Sequence, residues 1–216
     1  PIAVHVPDWR GVYRGRLPRA TVRTGTKNLM RPIAEFQWIH SRLAFWQGYD
    51  PAVKTDVSCC AVLAEAGLIF VDPLPLADDV LCELTESAIP AGIVLTNENH
   101  LRSSEEFAKR FEVPIRKSAN CEDGATIFGD MRVIHLPGFA PGEMAVHCGT
   151  TLMIGDALIN LEPHGFSILP EKYCTDVKAG RISLHKLLQF DFDTITFAHG
   201  LPIVTVGRAR LEALLQ

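Results

Sequence analysis

No apolar run in this chain approaches the ~20 residues that a membrane-crossing helix needs, so anchorage through such a helix is not expected. No Cys-x-x-Cys pair occurs among the six cysteines, which removes the usual thiolate zinc site. There is no GxGxxG fingerprint and no Walker phosphate loop, so neither dinucleotide nor P-loop nucleotide chemistry is indicated. Basic runs are missing too. With 21 basic against 25 acidic residues and a net charge of -4, the chain has no electrostatic case for nucleic acid. No secretory leader opens the sequence, and cytoplasm is the expected location.

What is present is ordinary for a soluble globular protein. Apolar residues make up 47% and charged residues 21% of 216, enough for a sizeable core. Cys59, Cys60, Cys82, Cys121, Cys148 and Cys174 mostly lie in apolar, strand-like runs and read as buried reduced thiols. Residues 1 to 32 are rich in Arg, Pro and Gly, with one strand candidate at Val22 to Thr24. Segments 34–39 and 43–46 read as strands, with Trp38, Phe45, Trp46 and Tyr49 expected in the core. Ser58 to Asp72 has the form of a β-hairpin turning at Glu65-Ala66-Gly67 and stopped by Pro73, which has no N–H to donate.

Further along, Leu76 to Ser87 places Leu76, Val80, Leu81 and Leu84 on one helical face. Strands are expected at 93–95 and 113–115, and hairpins at 125–136 and 144–154. A short helix is expected over Ser183 to Phe190, a strand over Ile195 to Ala198, and a closing helix over Gly207 to Leu215 with Thr205 as its cap. Hairpins first, then strand–helix units, then hairpins and a strand–helix unit again suit an α+β protein. The expected architecture is two mixed β-sheets packed face to face with helices on the outside.

The polar segment Thr96 to Arg102 follows the buried strand 93–95, and Ser103 with Glu106 gives a capping-box start for the next helix. Such loops, at the carboxyl end of a strand, are where α/β proteins place their sites. This segment resembles the Thr-His-x-His-x-Asp-His motif of metallo-β-lactamase-fold hydrolases, but with most ligands exchanged. Thr96 matches, while Asn97, Asn99, Leu101 and Arg102 stand where the family has His, His, Asp and His. His100 falls on a variable position. Val71-Asp72-Pro73 resembles the family's early strand end. His135 to Glu143 is similar to its Pro-Gly-His-x-Pro-Gly turn, with Phe139 in place of the ligand. Met153 to Leu158 and Phe197 to Pro202 resemble the Gly-Asp and Gly-His-Gly strand ends, keeping Asp156 and His199.

The resemblance implies one metallo-β-lactamase-like, four-layer sandwich domain over 1-216, with residues 1-57 as a divergent N-terminal part. It also implies a degraded metal site. Asparagine oxygen is a poor zinc ligand, Leu and Phe are none, and a fixed charge at Arg102 repels a cation. The leading expectation is therefore a metal-free relative without the usual hydrolysis. It would bind a small-molecule ligand or a partner around Asn97, Asn99, His100, Arg102, Phe139 and Asp72. An Arg102–Asp156 ion pair would take the metal's place, His100 would lie on the surface, and Glu98 and Glu143 would be solvated. One alternative is an ester, thioester or lactone hydrolase with a single zinc, iron or manganese ion on His100, Asp156 and His199. The other is a metal-free enzyme using Asp156 and His199 as an acid–base pair.

Overall fold

The hairpin at 58–72 forms the middle of the first of two large sheets. The computed structural model describes residues 30–162 and 165–216; the strand expected at Val22 to Thr24 lies outside them. The first sheet runs β1 (Gln37–His40), β2 (Leu43–Asp50), β3 (Thr55–Ala64), β4 (Gly67–Val71), β5 (Pro90–Val94) and β6 (Ile115–Arg116), paired in chain order. The pairs from β1 to β4 are antiparallel, whereas β4–β5 and β5–β6 are parallel. Helices α1 (Asp78–Glu86) and α2 (Ser104–Phe111) provide the crossovers that parallel pairing requires.

The second sheet has the order β13-β10-β9-β8-β7, from β7 (Thr126–Ile127), β8 (Met131–His135), β9 (Met144–Cys148), β10 (Thr151–Ile154) and β13 (Thr194–Thr196). Its β10–β13 pair is parallel and the rest are antiparallel. Helices α3 (Val177–Leu184) and α4 (Gly207–Leu215) flank it, and β11 (Leu158–Leu161) with β12 (Gly165–Ile168) forms a separate two-stranded sheet.

The layers follow from residue parity. Along β3, Val57, Cys59 and Ala61 face the helices α1 and α2, while Cys60 and Val62 face the other sheet. In β4, Leu68 and Phe70 point outward and Ile69 and Val71 inward. The second sheet mirrors this. Leu152 and Ile154 meet Leu184, Leu187 and Leu211, whereas Met153, Val146 and Val133 pack on the first sheet. Strands buried on both faces need continuous apolar runs, which is why these segments do not alternate with polar residues. Each fully buried side chain of this kind contributes roughly 1.5–3 kcal/mol.

Several local expectations are corrected. Ser103 precedes α2 but its side chain makes no cap bond, so the helix starts without the expected box. The helix expected at 183–190 begins earlier, at Val177, capped by Asp176 accepting from the Ala179 N–H, and continues as a 3₁₀ segment over His185–Gln189. Val206, not Thr205, stands at the position before α4, and no side chain caps the helix. Phe45 and Trp46 are core, but Trp38 and Tyr49 are exposed. All six cysteines are free thiols, as expected. No helix among the described residues is long and apolar enough to cross a membrane.

Candidate metal centre

Two of the parallel strand pairs, β4–β5 and β10–β13, deliver four strand ends to one place. Asp72 follows β4, Thr96 to Arg102 follow β5, Asp156 follows β10 and His199 follows β13. Carboxyl ends of parallel strands from both sheets therefore converge, as site-forming loops do in open α/β sheets. The sheets are tied together here. Ser58 N–H donates to the Ala198 carbonyl at 2.8 Å, and the Met144 N–H donates to the Thr96 carbonyl at 2.7 Å. Gly200, at φ +100°, brings its backbone against the Asn160 carbonyl, an approach that a Cβ would block.

His100 is buried, which overturns its reading as a surface residue. Its Nδ1 lies 3.0 Å from Asp72 Oδ2 and 2.9 Å from Thr96 Oγ1. Asp72 also accepts from the Thr96 N–H at 2.8 Å and from the Thr96 hydroxyl. An ionised Asp72 so placed keeps the proton on Nδ1 and turns Nε2 toward Asp156. Burial pulls the His100 pKa down, but the Asp72 charge and the contacts with Asp156 and Asp72 together outweigh it, and the ring is raised to about 9. Burial would raise Asp72, yet His100, Arg102 and Thr96 together hold it below its usual value.

Asp156 stands between two imidazoles. Its Oδ1 is 3.2 Å from His100 Nε2 and 3.3 Å from His199 Nε2. Nevertheless Oδ1 is a buried oxygen without a hydrogen bond, so neither ring N–H is aligned with it. Burial acts to raise this carboxyl and the two rings more than offset it, holding it well below the carboxylate range. His199 Nδ1 lies 3.4 Å from the Asp56 carbonyl. The ligand atoms of His100, Asp156 and His199 all fall within 4.8 Å of one another. Atoms about 2 Å from a common ion sit about 3.4 Å apart when tetrahedral, so these residues fit a single ion with little movement. An unpaired buried oxygen facing two imidazole nitrogens is a donor set for zinc, iron(II) or manganese(II).

The expected Arg102–Asp156 pair does not form. Arg102 Nη1 donates to the Ser58 and Asp72 carbonyls at 2.7 and 3.1 Å, and Nη2 to the Ala198 carbonyl at 3.3 Å. Its planar fork suits three convergent backbone oxygens better than one carboxylate already flanked by histidines. Glu143 is also corrected: it is buried, accepting from Asn97 at 2.8 Å and from the Ala157 N–H at 2.9 Å. Burial first, and then the Asp156 charge, raise it to about 8. Asn97 is buried inside the site, whereas Asn99, Leu101 and Glu98 face solvent. Phe139 lies apart in the core, packed on Gly180. Asp156 and His199 were legible from the two retained strand-end motifs, whereas His100 entered only through the single-ion alternative. The role of Glu143 was not legible, because a turn glutamate carries no sequence mark of burial.

A sequence model described as the metallo-β-lactamase superfamily matches residues 38–216, taking in nearly all the described chain. Among curated proteins nothing matches. Solved structures with the same fold include a metallo-β-lactamase from Pontibacter korlensis, at 14% identity and a TM-score of 0.63, covering 84% of this chain and 98% of that one. The DIM-1 metallo-β-lactamase gives 12% identity and a TM-score of 0.64, over 85% and 97%. An archaeal superfamily protein from Sulfolobus tokodaii gives 16% identity and a TM-score of 0.59, over 74% and 78%. At such identities the likeness extends to the fold.

Proposed function

This chain belongs to the metallo-β-lactamase superfamily, and we propose that it is a hydrolase of ester, thioester or lactone type working with one metal ion held by His100, Asp156 and His199. One observation carries the reading: Asp156 Oδ1 is buried and unbonded while two imidazole Nε2 atoms stand 3.2 and 3.3 Å away. When bound, the ion supplies Lewis acidity toward a carbonyl and lowers the pKa of a coordinated water. The chain's own residues do the positioning. Asp72 fixes the tautomer and tilt of His100 by holding Nδ1–H, the outer partner that metal-binding histidines characteristically have. The Asp56 carbonyl lies on the Nδ1 side of His199. Arg102 ties the backbone beneath Asp72 to that beneath His199, so the strand ends keep their spacing. Leu101, exposed at the position of the family's carboxylate, offers no general base.

A second reading has its own support. A protonated His100 between Asp72 and Asp156, with Arg102 beside them, balances the buried carboxylates without any ion. It corresponds to a metal-free binding protein. The test is to strip the protein with chelator, reload it with zinc, iron(II) or manganese(II), and assay ester, thioester and lactone substrates. The hydrolase reading predicts turnover that returns with metal and disappears in His199→Ala together with metal binding. Activity indifferent to chelator but lost in Asp156→Asn would assign the acid–base pair instead. No uptake and no turnover would leave the metal-free reading.

A further inference from the structure

Asn97 sits under Asp156 with both amide hydrogens in use. Its Nδ2 donates to Asp156 Oδ2 at 3.0 Å and to Glu143 Oε2 at 2.8 Å, and its Oδ1 accepts from the Asn99 N–H at 2.9 Å. Its partners set this orientation, because the flipped amide would turn its oxygen to the ionised Asp156 carboxylate and its NH2 to the Asn99 N–H. Glu143 in turn accepts the N–H of Ala157, the residue after Asp156. Gly155, just before Asp156, lets the backbone come so close that a Cβ there would stand 2.8 Å from Glu143 Oε1. The carboxylate of Asp156 is thus held from its own side chain and from the backbone beside it. Asn97 and Glu143 are both nearly inaccessible, at 1% and 3% exposure.

We propose that Asn97 and Glu143 are positioning residues that commit Oδ1 of Asp156 to one ion and keep a second cation from its Oδ2 side; the inference rests on the single-ion reading above. An asparagine N–H presents the positive end of a dipole where an imidazole or carboxylate would present a lone pair. Asp156 therefore has one oxygen bonded to an amide donor and the other facing two ligand nitrogens. Its rotation, which would exchange the two oxygens, breaks the bond to Asn97. Glu143 keeps Asn97 from turning by taking its second hydrogen.

The experiment is zinc titration of chelator-stripped protein against a chromophoric competitor, on wild type and on Asn97→Ala, Asn97→Asp, Glu143→Ala and the Asn97→Ala/Glu143→Ala double variant. Melting of each metal-free protein separates folding losses from binding losses. Wild type should take one equivalent. Asn97→Ala should bind about 10- to 100-fold more weakly, the usual loss for an outer-shell partner. The double variant should lose no more than the larger single loss, because the two residues act as one unit. Asn97→Asp, nearly isosteric, should admit a second saturable equivalent. Two equivalents in wild type, zinc affinity of Asn97→Ala within threefold of wild type, or additive losses in the double variant would overturn the proposal. If wild type takes no zinc, the single-ion reading fails on its own. The clamp is then judged in metal-free protein by the Asn97 side-chain amide protons. Slow exchange that is lost in Glu143→Ala supports it, and free-asparagine exchange overturns it.

Discussion

Asp72 accepts from the Thr96 amide, the Thr96 hydroxyl and His100, and does so at a positive φ of 50° that a non-glycine residue adopts at a cost. Such a conformation persists where the surroundings fix it, and here they aim one imidazole. Asp72→Asn keeps the shape but removes the charge that holds the ring. Zinc affinity is expected to fall about 10- to 100-fold, measured by competition titration, with the fold retained by circular dichroism. The same charge sets a pH dependence. The folded pKa of His100, about 9, lies above the ordinary 6.5. In metal-free protein this stabilisation is fully present below 6.5 and is lost as pH rises to about 9, a fall of roughly 3 kcal/mol. Metal binding runs the other way: Nε2 must shed its proton, so zinc affinity should rise about tenfold per pH unit up to about 9. Melting curves at pH 6.5 and 9, with and without zinc, check both signs.

At the scale of elements, the junction between the sheets depends on Arg102 and Gly200. Arg102→Met removes a charged donor shared by the carbonyls of Ser58, Asp72 and Ala198. A stability loss of about 3 kcal/mol is expected by denaturant titration, and Arg102→Lys should recover little of it, because an ammonium lacks the planar fork. Gly200→Ala drives a methyl into the Asn160 carbonyl from a left-handed backbone. It should cost about 2 kcal/mol or more and weaken zinc binding through its neighbour His199. The sequence made most of these elements legible. The hairpin at 58–72 and the helix at Gly207–Leu215 lie where apolar runs and turn residues put them. It hid β11 and β12, which apart from Leu158 are half-buried, and it hid the start of α3, whose signal is a lone Asp176 cap ahead of a Gly-containing segment. Burial of His100 and Glu143 was hidden for a different reason. Each depends on partners far along the chain, Asp72 and Asp156 for one and Asn97 and Ala157 for the other.

For the whole molecule, the sandwich brings strand ends from two sheets to one edge, and the site exists only while the sheets stay packed. An ion bound by His100 and Asp156, beyond β5 and β10, together with His199, beyond β13, would bridge both sheets and stabilise the native state by mass action. The most direct test of this account is the metal content of protein purified without affinity tag or chelator, by inductively coupled plasma mass spectrometry. The account predicts about one equivalent of zinc, iron or manganese per chain, reduced to background in His199→Ala. A content near zero that added metal cannot raise would contradict it, leaving His100, Asp72 and Asp156 as a buried ion-paired cluster in a chain that does no metal chemistry.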